Sequence, residues 1–228
     1  MKIAVIPARG GSKRIPRKNV KDFCGKPMIA YSIEAALQSK CFDKVIVSTD
    51  DLEIAKVAER CGAEVPFMRP PELSNDYTGT IPVIRHAIEW LVEQAFDPKL
   101  VCCLYATAPF VTAEYLQQGL DQIVELGAAY AFTVTSYAFP IQRAIKLNPE
   151  LGVEMFDTNN FNTRSQDLEE AWHDAGQFYW GRVDAWLTEK MIFGPESSPV
   201  ILPRHLVQDI DTPEDWDRAE WMFKAMQG

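Results

Sequence analysis

The chain has 228 residues, 47% hydrophobic and 24% charged, with 23 Lys and Arg against 32 Asp and Glu. This is the composition of a globular domain long enough to bury roughly 70–75% of its unfolded surface without disulfide or metal staples. The net charge of −9 argues against a nucleic-acid partner, and no apolar run approaches the roughly 20 residues of a membrane span.

The first predicted strand is the apolar run 3–6, which stops at Pro7 because proline cannot donate to a ladder in mid-sheet. The small-residue turn 8–12 follows, where the backbone can approach a ligand and offer amides. Then come Arg9, Lys13, Arg14, Arg17, Lys18, Lys21 and Lys26 against the single acid Asp22. Seven cations less one acid leave +6, so the rest of a chain of net −9 carries −15. A basic surface loop is the plain reading of such a run. Its place argues for more, since cations directly after a first strand stand where open α/β sheets hold ligands. A polyphosphate is the ligand class that suits them. Gly10 and Gly11 are adjacent, so the stretch is neither a Gly-x4-Gly-Lys-Ser/Thr phosphate loop nor a Gly-x-Gly-x-x-Gly dinucleotide turn.

A helix over 27–39 begins at Pro27 and turns Ile29, Ile33, Ala36 and Leu37 to one face. Strand 44–48 follows, then helix 52–61 closed by Gly62, then a short strand over 63–68. Residues 69–79 are a loop rich in Pro, Asn, Asp and Ser. Thr80 suits the N-cap of a helix over 80–94, with Ile81, Ile84, Ile88 and Leu91 at helical spacing. Residues 100–105 are near-continuously hydrophobic, as expected of a strand covered on both faces. Helix 113–126 and strand 130–136 complete a repeated β-α rhythm. That rhythm predicts an α/β fold, a three-layer α/β/α sandwich with a mainly parallel sheet.

The rhythm breaks over 137–174, an excursion with Pro140, Pro149 and several Asn that is too long for a plain loop. Strands at 178–183 and 200–202 follow, and a last helix carries Trp216, Ala219, Met222, Phe223 and Met226. One domain spanning 1–228, with this excursion, is the expected organisation. The five cysteines are odd in number and form no Cys-x-x-Cys pair, which points to idle thiols in a reducing cytosol. His86, His173 and His205 are scattered and build no metal site. The start runs straight into a strand, so no signal peptide is expected and the protein is placed in the cytoplasm.

Two further segments can carry chemistry. In Asp209-Ile210-Asp211 both carboxylates face one side if the backbone is extended, and two hard oxygen ligands suit Mg²⁺. Helix entry alone accounts for Thr212 as N-cap, Pro213 at the first helical position and Asp215 three after the cap. It leaves the alternation of Asp209 and Asp211 unexplained. Arg69-Pro70-Pro71-Glu72-Leu73-Ser74, with Asp76 and Thr80 beyond, reads equally well as a turn-rich loop.

Residues 6–19, Ile-Pro-Ala-Arg-Gly-Gly-Ser-Lys-Arg-Ile-Pro-Arg-Lys-Asn, resemble the amino-terminal signature of the sialic-acid type cytidylyltransferases. These enzymes join CMP, taken from CTP, to a nine-carbon acidic sugar. The resemblance covers nearly the whole chain. It implies a fold like that of the nucleotide-diphospho-sugar transferases and a homodimer that uses the 137–174 excursion. It implies that Ala8, Arg9, Gly10, Ser12, Lys13 and Asn19 surround the triphosphate, with Arg9 and Lys18 catalytic. It gives Arg69 and Thr80 to the nucleotide, and Asp209 and Asp211 to Mg²⁺. Tyr105, Arg164, His173 and Gln177 fall to the sugar.

Sialic-acid enzymes usually carry Leu-Gln-Pro-Thr-Ser-Pro-Leu-Arg where this chain has Leu104-Tyr105-Ala106-Thr107-Ala108-Pro109-Phe110-Val111. Tyr105, Ala106, Ala108 and Phe110 make a less polar surface, closer to the branch of the family that acts on pseudaminic acid. Tyr77-Thr78-Gly79-Thr80 and Gly176-Gln177-Phe178-Tyr179-Trp180 lean the same way, although each aromatic alone also reads as core. Legionaminic and neuraminic acids stay open as the sugar. An Asp-x-Asp also serves glycosyltransferases, against which the basic loop argues. A non-catalytic nucleotide-binding module would not need Arg9, Lys18, Asp209 and Asp211 together.

Overall fold

The computed structural model describes residues 1–150 and 152–227. Strand β1 (Lys2–Pro7) leads into the basic stretch and the two-residue strands β2 (Asp22–Phe23) and β3 (Lys26–Pro27), which pair with each other. Helix α1 (Met28–Ser39), strand β4 (Lys44–Ser48) and helix α2 (Leu52–Arg60) follow, then helix α3 (Thr80–Glu93) and strand β5 (Leu100–Leu104). Helix α4 (Ala113–Leu126), strand β6 (Tyr130–Ser136) and a hairpin of β7 (Ile145–Leu147) and β8 (Val153–Met155) come next. The chain closes with β9 (Trp172–Arg182), the short α5 (Val183–Leu187), β10 (Ser197–Ile201) and α6 (Pro213–Gln227).

Six strands form one sheet in the order β10-β6-β9-β5-β1-β4. Only β9 runs antiparallel to its neighbours, so the sheet is mainly parallel as predicted. Alternation along β1 sorts its residues between two cores. Ala4 and Ile6 face α1, α2 and α4, whereas Ile3 and Val5 face α3 and α5. Each of these isoleucines is fully buried and contributes roughly 1.5–3 kcal/mol. The layers are therefore α/β/α.

A third apolar cluster lies outside the sheet. Ile15 from the basic stretch and Phe23 meet Leu206, Ile210 and Trp216 from the end of the chain. The Phe23 and Trp216 rings pack edge to face with centroids 5.4 Å apart. This cluster docks the basic stretch onto the segment before α6.

Several sequence expectations are corrected. Residues 63–68 make only two isolated bridges, Glu64 to Ile46 and Met68 to Thr49, because Pro66 interrupts the ladder. Leu37 is 44% exposed, off the buried face of α1. The N-cap of α3 is Gly79, so Thr80 is released from the capping role. The last long strand starts at Trp172, well before 178, because it pairs on both sides with β5 and β6. The excursion is irregular but carries the β7–β8 hairpin.

Candidate active site

The direction of winding reverses at β1. The chain passes from β1 to β4 on one side, then through α2 and α3 to β5 on the other. Ligands of open α/β sheets bind outside the carboxyl ends of strands at such a point. A cavity of about 520 Å³ lies there, between Pro7 at the end of β1, Tyr105 just past β5, the basic loop and residues 69–80.

The basic loop is pinned to the end of β4. The Ala8 amide donates to the Ser48 carbonyl at 2.9 Å, and the Gly10 amide to Asp50 Oδ1 at 2.9 Å. A Cβ on Gly10 would stand 2.7 Å from Asp51 Oδ2, so only glycine fits against this carboxylate. Asp51 caps α2 through the amides of Glu53 and Ile54 and pairs with Arg17. The Arg17 hydrogen bond leads in lowering the Asp51 carboxyl to about 2, and the two amides add to it. Arg17 holds a left-handed backbone, φ 58°, and also pairs with Glu53. Buried Asn19 donates from Nδ2 to the Arg9 carbonyl at 3.0 Å. The Ser12 amide is taken by the Gly10 carbonyl. The amides of Ala8, Gly10 and Ser12 are thus spent inside the protein, and the loop turns cationic side chains to the cavity.

Those side chains divide cleanly. Arg9, Ser12, Lys13, Arg14, Lys18 and Asn19 line the cavity. Lys21 instead lies over the Trp216 ring at 4.2 Å, and Lys26 pairs with Glu34 at 2.6 Å. Lys18 is mostly buried, and its Nζ donates to the Ile210 carbonyl at 2.6 Å and to Asp211 Oδ1 at 3.4 Å. Arg14 reaches Asp211 Oδ2 at 2.9 Å. Arg69 is buried and lines the cavity. Its Nε donates to Ser74 Oγ at 3.2 Å, and its nearest carboxylate, Asp50, is 3.9 Å away. Burial pulls its guanidinium below the ordinary value, with Asp50 opposing. A buried cation with so loose a partner is poised for an anion from the cavity.

Asp209-Ile210-Asp211 lies between a 3₁₀ turn (Arg204–Leu206) and α6, not at the end of a strand as extended alternation suggested. The alternation still holds, for Ile210 is buried in the third cluster while Asp209 is exposed and Asp211 faces the cavity. The Asp209 carboxyl is raised by desolvation and by the like charge of Asp211. Since Asp209 is open to solvent, the like charge is the component a bound cation would relieve. The two acids fit Mg²⁺, which takes few protein carboxylates beside phosphate oxygens and water. Thr212 and Asp215 form the capping box, with Asp215 N to Thr212 Oγ1 at 3.2 Å and Thr212 N to Asp215 Oδ2 at 2.8 Å.

The cavity also has an apolar portion, set beside Thr78, Thr80 and Thr107. Tyr105, Ala106 and Val83 line it, and the Tyr105 hydroxyl meets Thr80 Oγ1 at 3.1 Å. Tyr105 packs against Tyr179, centroids 5.5 Å apart, and the Tyr179 hydroxyl donates to Asp174. Burial raises the pKa of both phenols, so both stay protonated.

A family model described as Cytidylyltransferase matches residues 3–189. The chain belongs to the cytidylyltransferase family. It is 50% identical over 223 residues to a pseudaminic acid cytidylyltransferase of Campylobacter jejuni subsp. jejuni serotype O:2, covering 98% of this chain and 96% of the relative. It is 33% identical to a CMP-N,N'-diacetyllegionaminic acid synthase of Legionella pneumophila, covering 99% and 97%. The solved structure of a CMP:2-keto-3-deoxy-manno-octonic acid synthetase complexed with CTP shares the fold, with a TM-score of 0.70 at 18% identity over 99% of each chain.

Within this family member the cavity gathers Arg9, Ser12, Lys13, Lys18, Asn19, Arg69, Thr80, Tyr105 and Asp211. Other candidates lie elsewhere. Ala8 is buried and Gly10 serves the loop's packing. Gln177 is buried on β9, where its Nε2 donates to the Leu206 carbonyl. Arg164 pairs with Asp167 on the excursion, and His173 packs on Tyr137 with centroids 4.7 Å apart. Asp209 is beside the cavity lining but not in it. Ala108 and Phe110 are buried in the cores and do not shape the wall. Arg14 and Asp76 line the cavity without having been assigned a role by sequence. Asp50 and Asp51, which anchor the loop, are functional neighbours that the sequence reading did not single out.

Proposed function

We propose that the protein transfers CMP from CTP to pseudaminic acid and releases pyrophosphate. The observation that carries this is the 50% identity, over nearly the full chain, to a relative named for that sugar. The cavity supports it with five cations, Arg9, Lys13, Arg14, Lys18 and Arg69, placed at the switch point of the sheet. In the reaction the anomeric hydroxyl attacks the α-phosphorus of CTP. The new P–O bond forms as the bond to the β-phosphate breaks, and the hydroxyl proton is lost. Such transfers depend on positioning and on neutralising charge. Arg9, Lys13, Lys18 and Arg69 neutralise the triphosphate and the departing pyrophosphate. Ser12 orients it, and Asn19 holds the loop through the Arg9 carbonyl. Asp209 and Asp211 would hold Mg²⁺, which when bound supplies further positive charge at the phosphates.

The lining at Tyr105 supports the same sugar. Tyr105 offers one hydroxyl, already shared with Thr80, where a glutamine would offer two amide donors and a carbonyl. Pseudaminic acid ends in a methyl group, whereas neuraminic acid ends in hydroxyl-bearing carbons. A buried hydroxyl without a partner costs about 1–3 kcal/mol. The deciding measurement is kcat/KM for the two sugars with CTP, with pyrophosphate release as readout. Pseudaminic acid should be strongly preferred; equal values or a preference for neuraminic acid would reverse the sugar assignment.

The active form is a homodimer in this reading. The excursion exposes Phe139 and Leu147, each 82% accessible, with Val153, Phe156 and Phe161 also exposed. Contact with a second copy would cover these apolar side chains, which is what supports the reading. The five free cysteines suit a reducing, cytoplasmic setting, and among the described residues no helix is long and apolar enough to cross a membrane.

A further inference from the structure

Asp76 is an acid inside a cavity whose cations suit a polyphosphate. Its Oδ1 accepts from Arg9 Nη1 and its Oδ2 from Lys13 Nζ. One carboxylate thus bridges two of the cations assigned above to the triphosphate. It sits at the tip of a closed turn. Asn75 Oδ1 accepts from the amides of Tyr77 and Thr78 at 2.8 and 3.0 Å, and Asn75 Nδ2 donates to the Glu72 carbonyl at 2.8 Å. Tyr77, next in the chain, is 96% exposed, so its ring does not pack the tip against the protein.

We propose that Asp76 is a built-in competitor for the phosphate subsite, holding Arg9 and Lys13 in the empty enzyme and reclaiming them as pyrophosphate leaves. This rests on the cytidylyltransferase reading of the cavity. A carboxylate beside a triphosphate is repelled, so the two cannot share these cations at full strength. The ion pairs are exposed and screened, which makes them weak enough to exchange. A phosphate group offers more acceptor oxygens and more charge than one carboxylate, so it wins while it is present. Asp76 therefore weakens the cavity's grip on any polyphosphate. For the substrate that is a penalty, and for the product it is an aid to release.

The test is calorimetric titration of the intact protein with inorganic pyrophosphate, without nucleotide or sugar. Asp76→Asn and Asp76→Ala should bind pyrophosphate several-fold more tightly than the wild type, and pyrophosphate should become a stronger product inhibitor. Asp76→Glu should return binding toward the wild-type value. Glu125→Gln on α4, outside the cavity, removes the same charge and should change nothing. A residue that merely shaped the loop would weaken anion binding when replaced. Unchanged or weaker binding in Asp76→Asn, or no binding by either protein, overturns the proposal. Failure of the function reading shows separately, as absence of pyrophosphate release from CTP and pseudaminic acid by the wild type.

Discussion

Lys18 offers the sharpest test of the site. It joins two parts of the chain 192 residues apart, since its Nζ donates to the Ile210 carbonyl and lies 3.4 Å from Asp211. Its side chain is 18% exposed, so its charge is only partly screened. Lys18→Ala removes a cavity cation and leaves the Ile210 carbonyl and Asp211 with one partner fewer. Losing one electrostatic contact of this kind commonly raises a barrier by about 3–4 kcal/mol, a rate loss of roughly 10²–10³. Losing a charged hydrogen bond costs the fold about 1.5–3 kcal/mol, and in a chain of this length each kcal/mol lowers Tm by roughly 2–4 °C. The assay is steady-state pyrophosphate release from CTP and pseudaminic acid, paired with a thermal melt. Lys18→Met, which keeps the apolar stem, should recover part of the melting temperature but little of the rate. Lys21→Ala is the comparison, because that side chain lies over Trp216 and away from the cavity. Equal and small rate losses at Lys18 and Lys21 would refute the reasoning and leave the basic stretch as a diffuse positive field.

The other predictions are briefer. Asp211→Asn should cut activity by roughly 10²–10³ while leaving the fold intact, and chelator should mimic it in the wild type, with Mg²⁺ restoring the rate; full activity of Asp211→Asn in excess Mg²⁺ would sink the metal assignment. Asp51 is held at about 2 against its ordinary 3.8, so its charge stabilises the fold fully above about pH 4 and ceases to as pH falls toward 2. Asp51→Asn keeps a capping oxygen, so its deficit, about 1–2 kcal/mol after discounting for the exposure of Arg17, should appear in urea melts at pH 7 and vanish near pH 2. Leu147→Glu on the β7–β8 hairpin should shift sedimentation from dimer to monomer, and an unchanged profile would move the interface elsewhere.

The parts of the fold that read clearly from sequence are those whose signals are local. Strand 44–48 and helix 113–126 match β4 and α4 residue for residue, because their apolar patterns lie within the segments themselves. Where partners are distant, the pattern misled. The length of β9 is set by β5 and β6 on its two flanks, which no local window contains. The bridges at 64 and 68 depend on how Pro66 meets β4. The site divides the same way. Arg9, Lys13 and Lys18 were legible as a cation cluster after a strand, and the cavity receives all three. Gln177 sat in a stretch matched to the family, yet its amide ties β9 to Leu206 from inside the core. Asp50 and Asp51 gave no sign of anchoring the loop, for that role appears only when the loop folds back onto the end of β4.

The charge arithmetic of the chain also finds its reason in the structure. A cluster of +6 in a short stretch would repel itself if held together alone. Instead each cation outside the cavity is tied down, with Arg17 on Asp51 and Glu53, Lys26 on Glu34 and Lys21 on an aromatic face. Those inside, together with Arg69, are met only in part, at Asp76, Asp211 and, more loosely, Asp50. The acids that meet them come from three separate segments, at β4, the 69–80 loop and the entry to α6. Two of these segments are fixed by apolar packing that does not depend on the charges, β4 by the sheet and α6 by Trp216 against Phe23, while the 69–80 loop is anchored only where it enters α3, which the second core holds. The scaffold can therefore hold the cavity's cations close together with their charge incompletely cancelled. That residual positive charge, paid for by burial elsewhere, is what a polyphosphate entering the cavity would neutralise.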